Sequence, residues 1–383
     1  MTVFRNRQLL QLLCGLFCGL FCGLFCGLFC GLFLMFASGS MQAGEISLTK
    51  IFDDGKYNSF TDLCKFKGHY YCTFRSAISH GGASHNVMGD IVVIRSADKT
   101  NWQEVARFHQ ENVDLRDPKI IATPDSIRVY AVDCRFRPGG KIEYANCVWS
   151  SQEGTKWSEA RLMAPGYIFW RPKLYKGKFY VPAYARRPGY CCVDLLVSDD
   201  GEHWHVQSTP IPPTEVEEEI LWANETEILF LENGTALLFA RRNHYGKANP
   251  KLKKFGGFRS GVVMQADAKT LTNWKVIDEG LTFHSPAAVQ HRGRIFLAGR
   301  DKHPLSDGRF TETARLWEFI PGKGFTPLVH FKTRGDCSYP GIVAEGNELL
   351  VSYFSTHEGK TAYFELPGKA DIYLSRIKLE PTK

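Results

Sequence analysis

The sequence predicts an all-β protein: a six-bladed β-propeller of four-stranded antiparallel blades, preceded by an apolar export segment. Six segments share one outline, in which a short apolar strand, a polar turn with Gly or Asp, and a second apolar strand make a β-hairpin. A polar turn that ends in Trp also recurs between apolar strands. Beyond residue 43 no long helical pattern interrupts the strands, so a ring of small sheets is the expected architecture.

The six hairpins supply the blades. They cover residues 60–75, 117–135, 171–186, 224–242, 285–300 and 338–355. Each of the first four leads into a third strand and a Trp-ended turn, and the fifth leads into a segment where Phe325 replaces the Trp. The sixth leads only into ADIYLSRIKL, so its blade is one strand short. We expect EISLTKIF, residues 45–52, to complete that blade and close the ring.

The Trp-ended turns are predicted to be structural. They read SSQEGTKW at 150–157 and VSDDGEHW at 197–204, with looser copies at 96–102 and 265–274. Acidic and amide side chains hold such turns by accepting backbone N–H bonds, and Gly takes the positive φ. The Trp is expected to pack between neighbouring blades. The Asp, Ser and Gln side chains of these turns are therefore not predicted to be catalytic.

The same turns carry a family resemblance. Their pattern is a degenerate form of Ser-x-Asp-x-Gly-x-x-Trp, the Asp box of sialidases and related six-bladed propellers. Residues 45–383 as a whole resemble a bacterial sialidase-like, BNR-repeat protein, and the segments TDLCKFKG, DLRDPK, GDCSYPG and SYFSTHEGKT add to the similarity. The resemblance implies a six-bladed propeller that acts on glycans.

The first 43 residues differ from the rest and are assigned to a separate segment before the propeller of residues 44–383. Arg5 and Arg7 precede an apolar run from Leu12 to Ala37, in which CGLF occurs five times, and small residues follow as far as Ala43. This order is typical of an export signal. The run is also long enough to span a bilayer, so anchoring through residues 12–37 is the alternative to cleavage. Either way, a periplasmic or extracellular location is predicted.

Charge and motif content exclude several classes of protein. The net charge is +7, and without the two arginines of residues 1–43 the remainder carries 45 basic and 40 acidic residues, a net +5. This excess tolerates an anionic partner but does not indicate a nucleic-acid-binding surface. Beyond residue 43, Cys and His do not show zinc-ligand spacing. We expect an anionic glycan as partner, no nucleic acid, no metal, no cofactor, and a monomer.

Seven cysteines lie beyond residue 43. Cys64 with Cys72, and Cys134 with Cys147, each flank a predicted tight turn, so either pair could meet across a hairpin. Disulfides and small buried thiols both fit this pattern, and an odd count leaves at least one thiol free.

Polar side chains recur where the first strand of each hairpin begins. In a propeller these starts surround the central channel, so aligned positions should face one cavity. The aligned residues are Phe60, Asp117, Arg171, Glu225, Ser285 and Tyr339, and the residues before them are Ser59, Arg116, Trp170, Asn224, His284 and Ser338. Buried strand starts rarely carry so many polar groups, which predicts a lined binding site.

The second strands of five hairpins end in arginine. These residues are Arg75, Arg135, Arg186, Arg242 and Arg300. A guanidinium binds a carboxylate bidentately and keeps its charge, so converging arginines predict an anion site. The alternative is that each arginine pairs with a neighbouring Asp or Glu.

The sialidase resemblance assigns roles to some of these residues. By similarity, Tyr339 is the nucleophile and Glu225 its base, while Arg242 and Arg300 match two of the three arginines that hold the sugar carboxylate. A phenol suits an anionic sugar because a carboxylate nucleophile would be repelled. Its ordinary pKa of about 10 then requires a nearby base.

The same resemblance places the catalytic acid in the loop after Arg75. Asp90 is the only carboxylate of that loop and is the predicted acid, with His80 and His85 as other proton donors.

The first sialidase arginine is missing from its expected place, where this chain reads NSFTDL. Other arginines near the channel are possible substitutes. The predicted substrate-binding residues are thus Arg75, Arg116, Asp117, Arg171, Arg242 and Arg300.

The leading functional prediction is an exported glycoside hydrolase of sialidase type that acts on terminal acidic sugars. One alternative is a non-catalytic glycan-binding propeller. Another is a different carbohydrate-active enzyme on the same scaffold, such as a lyase or a hydrolase of uronate or sulfated sugars.

Overall fold

The computed structural model describes residues 44–81, 87–187, 190–212, 214–216, 219–244, 261–279, 281–304, 310–359 and 365–380. The predicted export segment at 1–43, and its alternative as an anchor, lie outside these residues. Within them, no helix combines the length and the apolar character that crossing a bilayer requires.

Strands account for nearly all of the regular structure, with one short 3₁₀ turn at Pro138–Gly140. In chain order they are β1 (Ile46–Phe52), β2 (Tyr57–Phe66), β3 (His69–Ala77), β4 (Asp90–Ser96), β5 (Gln103–Phe108), β6 (Val113–Ala122), β7 (Ile127–Phe136), β8 (Ile142–Ser151), β9 (Arg161–Met163), β10 (Tyr167–Phe169), β11 (Lys173–Tyr175), β12 (Lys178–Arg187), β13 (Tyr190–Ser198), β14 (His205–Ile211), β15 (Thr214–Val216), β16 (Glu219–Phe230), β17 (Thr235–His244), β18 (Val262–Asp267), β19 (Lys275–Glu279), β20 (Phe283–His291), β21 (Arg294–Pro304), β22 (Phe310–Ile320), β23 (Gly324–His330), β24 (Cys337–Glu345), β25 (Glu348–Ser355) and β26 (Asp371–Lys378).

Among the described residues these strands form six antiparallel sheets, each of which is one blade. Blade one contains β2–β5, blade two β6–β9, blade three β10–β14, blade four β15–β19 and blade five β20–β23, while blade six contains β24–β26 and β1. The predicted six-bladed propeller is confirmed. Blade three departs slightly from the four-strand pattern, since β10 and β11 both pair with β12, and blade four has β15 as an extra strand.

The ring is closed by a strand from the start of the chain. β1 pairs antiparallel with β26, so that Ile46 faces Ile377 and Phe52 faces Ile372. This is the strand that the sequence assigns to the incomplete sixth blade. Separating the ends of the propeller therefore requires breaking a strand pair.

The apolar core is divided into layers that lie between neighbouring blades. Strands present alternate side chains to the two faces of a blade, so each blade contributes to two layers. The aromatic residues of the repeated turns pack into five of these layers: Trp102, Trp157, Trp204, Trp274 and Phe325. Their predicted packing between blades is observed.

The turn at residues 197–204 shows how the repeat is held. The Ser198 hydroxyl accepts the Gly201 N–H at 2.8 Å. Asp200 accepts the N–H groups of Glu202 and His203, both at 2.8 Å. Gly201 has a φ of +77°, and a Cβ there would lie 2.6 Å from the Tyr130 hydroxyl of blade two. The side chains are used for the turn and for contact between blades.

The cysteines in the predicted pairs are buried free thiols. Cys64 packs in the layer between blades one and two, whereas Cys72 packs between blades six and one. Cys147 and Cys134 are likewise in different layers. Opposite faces of one sheet cannot be bridged by a disulfide, so neither hairpin pair is joined.

The innermost strands share an irregularity that shapes the channel. In five blades the pairing register shifts at the aligned positions, for example between Ser59 and Asp62 and between Ser338 and Gly341. In blade three the gap between β10 and β11 falls at the same place. Four of the aligned residues have positive φ: Phe60 at 62°, Asp117 at 46°, Ser285 at 48° and Tyr339 at 49°. Bulges of this kind redirect side chains, here toward the channel.

Candidate active site

A tyrosine and a glutamate from different blades meet at the channel. The Tyr339 hydroxyl donates to Glu225 Oε1 at 2.5 Å. The other oxygen of Glu225 accepts the Ser285 N–H at 2.8 Å, and the Ser285 hydroxyl accepts the Tyr339 N–H at 3.2 Å. Blades four, five and six thus fix the phenol and the carboxylate in one geometry. The structure brings together the two residues predicted as nucleophile and base.

Aromatic rings surround the Tyr339 side chain. Its centroid lies 4.6 Å from that of Phe60, 5.6 Å from Trp170 and 6.1 Å from Phe354. Burial raises the pKa of Tyr339, and the negative charges of Glu225 and Asp117 raise it further. The phenol is therefore protonated before reaction and needs a base to become a nucleophile.

Two arginines set the electrostatics of this pair. Arg241 Nη1 lies 2.7 Å from Glu225 Oε1, and Arg300 Cζ lies 5.6 Å from the centre of the Tyr339 ring. Burial alone would raise the pKa of Glu225, but Arg241, the Tyr339 hydroxyl and Arg300 together lower it. Glu225 is thus an ionised carboxylate poised to take the phenol proton.

The structure corrects the placement of Arg242. Its Nη2 lies 2.9 Å from Glu279 on β19, whereas the preceding residue, Arg241, contacts Glu225. Neighbouring residues on a strand point to opposite faces of the sheet. Predicting Arg242 instead of Arg241 therefore assigned the guanidinium near Glu225 to the wrong residue of FARR. The doubled arginine was visible in the sequence, but the bulge that sets its phase was not.

Arg75 is placed in the fold and not against Tyr339. Its side chain is fully buried and donates to Asp114 at 2.9 Å and to the carbonyls of Ser79 and Gly81 at 3.0 and 3.2 Å. Arg116 contacts the same carboxylate at 3.0 Å. The substrate-binding role predicted for Arg75 conflicts with this arrangement, because its guanidinium holds the loop after β3.

Arg116 lies nearer to the candidate site. Its Cζ is 5.0 Å from the Phe60 ring centre, and Phe60 contacts Tyr339. Of the arginines proposed to substitute for the missing one, Arg116 is the one beside this aromatic group.

Arg171 is also used by the fold. It contacts Asp62 of blade one, Glu227 of blade four at 2.8 Å and the Pro340 carbonyl of blade six at 2.8 Å. Lys173 lies 2.5 Å from the same Glu227. A guanidinium bound on three sides by other blades joins the ring across its centre, which conflicts with the predicted role in holding substrate.

Asp117 and Lys119 of blade two lie near Tyr339. Asp117 is half-buried, and none of the described residues forms a hydrogen bond or an ion pair with its carboxylate. Lys119 is buried, its ammonium lies 4.4 Å from the Trp170 ring centre, and it donates to the Pro118 carbonyl at 3.1 Å. Burial, with Arg171 adding to it, lowers the pKa of Lys119 to about 8. Asp117 remains a candidate for substrate binding.

Asp90 does not lie with these residues. It begins β4, the third strand of its blade, where His109 Nδ1 is 2.7 Å and Arg107 Nη1 3.8 Å from its carboxylate. The third strand is displaced from the channel by β2 and β3, which explains why its position after Arg75 in the sequence was misleading. His85 and the side chain of Arg186 lie outside the described residues.

One buried acid near the site was not singled out from the sequence. Asp336 is 0% exposed and accepts the Tyr57 hydroxyl at 2.5 Å and Arg300 Nη2 at 3.0 Å. Asp336 Oδ2, the oxygen that accepts from Tyr57, also contacts His80 Nδ1. Asp336 lies three residues before Tyr339 in GDCSYPG, so the motif included it without indicating its role.

The described residues contain no group of three or more His, Cys, Asp or Glu side chains arranged to hold a metal ion. The arrangement that they do contain is a phenol hydrogen-bonded to a carboxylate, with Arg241 and Arg300 nearby. This is the geometry that a tyrosine nucleophile and its base would require.

Comparisons with known proteins agree with the fold. Neither a family model nor a curated protein sequence matches the chain. Among solved structures, a Trypanosoma rangeli sialidase bound to 2,3-difluorosialic acid as a covalent intermediate has a TM-score of 0.56 and 11% identity, over 87% of this chain and 59% of that one. The phage phi92 endosialidase has a TM-score of 0.59 and 11% identity, over 88% and 70%.

A neighbour with a different substrate is similar to the same degree. An α-L-arabinanase from Penicillium chrysogenum, complexed with arabinobiose, has a TM-score of 0.60 and 13% identity, over 86% of this chain and 97% of that one. This chain spans about three fifths of the length of the trypanosomal sialidase chains that it matches. The neighbours show a glycosidase-type propeller fold.

Proposed function

We propose that this protein is a glycoside hydrolase of sialidase type, with Tyr339 as nucleophile and Glu225 as its base. The observation that carries the proposal is the 2.5 Å hydrogen bond between the Tyr339 hydroxyl and Glu225 at the centre of the ring. The covalent intermediate of the T. rangeli sialidase, a structural neighbour, supports this type of chemistry.

In the first half of the proposed reaction, Tyr339 Oη attacks the anomeric carbon and the bond from that carbon to the leaving oxygen breaks. The phenol proton passes to Glu225, and a separate acid protonates the leaving oxygen. In the second half, water attacks the anomeric carbon and the bond from that carbon to Tyr339 Oη breaks. The water gives a proton to that acid's conjugate base, and the Tyr339 oxygen recovers its proton from Glu225. Two displacements at one carbon retain the anomeric configuration.

Terminal acidic sugars are the proposed substrates. An uncharged phenol approaches an anionic sugar without the repulsion that a carboxylate nucleophile would meet. Arg241 and Arg300 lie beside this phenol, and Arg116 lies beside Phe60. Each is paired with a carboxylate of the protein, and this concentration of cations near the phenol supports an anionic sugar as substrate. We also retain the proposals of export and of a monomer from the sequence.

The test is a hydrolysis screen of sialosides, uronides and neutral glycosides, with the anomeric configuration of the first product followed by NMR. We expect turnover of an anionic glycoside with retention, and its loss in Tyr339→Phe. Tyr167→Phe is the matched control, because Tyr167 also donates to a carboxylate, Asp194 at 2.8 Å, but in blade three. An inverted product, or an active Tyr339→Phe variant, would contradict the proposal.

The screen also separates the proposal from its two rivals. Turnover restricted to neutral glycosides would keep the nucleophile but replace the substrate class, as the arabinanase neighbour allows. Tight glycan binding without any turnover would indicate a binding propeller.

A further inference from the structure

The reaction proposed above needs an acid for the leaving oxygen, and Asp90 is held by His109 on the outer side of blade one. A different proton donor should therefore lie near Tyr339. The loop after β3 supplies one: His80, whose side chain is 13% exposed.

The His80 imidazole is paired with a carboxylate, in the manner of a catalytic His–Asp pair. Its Nδ1 contacts Asp336 Oδ2, and Asp336 is fully buried. Burial alone would raise the pKa of Asp336, but His80, Arg300 and the Tyr57 hydroxyl lower it, so the carboxylate stays ionised. An ionised, immobile carboxylate fixes a proton on Nδ1 and directs the opposite nitrogen, Nε2, away from itself.

Aromatic contacts connect His80 to the nucleophile. The His80 ring lies edge-on to Phe60 at 5.3 Å and to Tyr57 at 6.0 Å between centroids. Phe60 in turn lies 4.6 Å from Tyr339. Arg300 contacts both Asp336 and the Tyr339 face, so the imidazole and the phenol are held by one set of neighbours.

We propose that His80, oriented by Asp336, is the general acid and base of the reaction, an inference that rests on the proposed glycosidase function. The imidazolium gives its Nε2 proton to the leaving oxygen as the bond from the anomeric carbon breaks. The neutral ring then takes a proton from the water that attacks the glycosyl-tyrosine. One proton leaves His80 and one returns in each cycle, so the ring is restored.

The experiment compares leaving groups in His80→Gln. On substrates with a poor, alkyl-type leaving group we expect kcat/KM to fall by about 10²–10⁴-fold, the usual contribution of a general acid. On dinitrophenyl glycosides, whose leaving group needs no protonation, the loss of kcat/KM should be under about tenfold. Added azide should speed turnover of the variant and give a glycosyl azide of retained configuration.

The matched control is His109→Gln. His109 forms the same kind of pair, with Nδ1 2.7 Å from Asp90, but it directly follows the outer strand β5 and its side chain is 66% exposed. We expect wild-type kinetics on both leaving groups and no response to azide. Should His80→Gln fail to fold, Asp336→Asn keeps the imidazole and should show the same dependence on leaving group at smaller size.

The outcomes separate this inference from the proposed function. Equal losses on poor and activated leaving groups, with no azide response, would overturn the role of His80 while leaving Tyr339 as nucleophile. A wild-type protein that hydrolyses nothing, or a fully active Tyr339→Phe, would overturn both.

Discussion

The arginines on the two sides of the channel mouth differ in their distance from Tyr339 and Glu225. In blades one and three, Arg75 and Arg171 are buried, and carboxylates and carbonyls of the fold take their donors. In blades four and five, Arg241 contacts the predicted base, Glu225. Arg300 is as buried as Arg75 and donates to Asp336 and to the Cys337 carbonyl, but its Cζ also lies 5.6 Å from the centre of the Tyr339 ring. Arginine at equivalent points of a repeat therefore predicts a cation near the axis, not what that cation does.

The difference comes from the carboxylate that each arginine meets. Asp62, the partner of Arg171, also accepts the backbone N–H groups of Leu63 and Ile120 at 2.8 and 2.9 Å, so its oxygens are committed to the fold. Glu225, the partner of Arg241, accepts one backbone N–H, from Ser285, and its other oxygen accepts the Tyr339 phenol. The Arg171–Asp62 pair joins blades of the fold, whereas the Arg241–Glu225 pair contacts the proposed nucleophile.

The largest effect is expected from Glu225→Gln. Removing the base should lower kcat by about 10²–10⁴-fold, because the Tyr339 phenol can no longer pass its proton to a carboxylate. Steady-state hydrolysis of the substrate found in the screen measures it. Glu279→Gln, which removes the carboxylate of the Arg242–Glu279 ion pair, should leave kcat unchanged. A wild-type rate in Glu225→Gln would mean that the Arg241–Glu225 pair has no more part in the reaction than the Arg171–Asp62 pair.

Arg171→Met tests the structural side. It leaves two buried carboxylates, Asp62 and Glu227, without this cation, a change that typically costs about 3–5 kcal/mol of unfolding free energy. Urea denaturation measures the loss. Arg242→Met, at an ion pair with an exposed partner, should cost less than about 1 kcal/mol. Similar losses in both variants would mean that the Arg171 contacts do not hold the ring.

Gly341→Ala tests how tightly blades six and one meet beside Asp62. An added Cβ would lie 2.6 Å from the Asp62 carbonyl carbon and closer still to the Leu63 nitrogen, so the main chains must separate. We expect a loss of about 1–3 kcal/mol by thermal or urea unfolding. Gly293→Ala is the control: its φ is +75° but its surroundings are open, which leaves only backbone strain of about 1 kcal/mol. Equal losses would assign the effect to strain and not to blade contact.

Asp371→Asn extends the comparison to a buried carboxylate whose nearby cations are Lys50 and Lys369. Burial, together with Asp53, raises the pKa of Asp371 to about 6 against the opposing effect of Lys369 and Lys50. A raised pKa in the folded state favours the neutral acid, so the wild type loses stability as pH rises from about 4 through 6. The variant should be more stable at pH 8, by up to about 3 kcal/mol, and equal below pH 4.

The control for this pH dependence has the opposite sign. Lysines 369 and 50 lower the pKa of Asp53, even though burial opposes them, so its ion pairs stabilise the fold at neutral pH and are lost in acid. Asp53→Asn should therefore lower stability at pH 8. A constant stability difference between wild type and Asp371→Asn from pH 4 to 8 would contradict the assignment.

The repeats made the fold predictable from the sequence. The site was harder to predict, because a bulge changes which side chains of a strand point to which face. Hairpins, aromatic turns and the closing role of residues 45–52 follow from patterns that recur, so errors at one blade are corrected by the others. Tyr339 and Glu225 could be aligned for the same reason. Arg242 instead of Arg241 is a one-residue error, which a bulge makes easy.

The remaining differences come from contacts between distant parts of the chain. Arg75 and Arg171 have the composition of binding residues, and only the positions of Asp114, Asp62 and Glu227 show that they serve the fold. Such partners lie 39, 109 and 56 residues away, and no local pattern reports them.

Because the guanidinium of blade three contacts blades one, four and six, four of the six blades share this one side chain. A displacement of any one of these blades must stretch or break a contact that also holds the other three. The spacing of these blades near the axis is therefore coupled through Arg171.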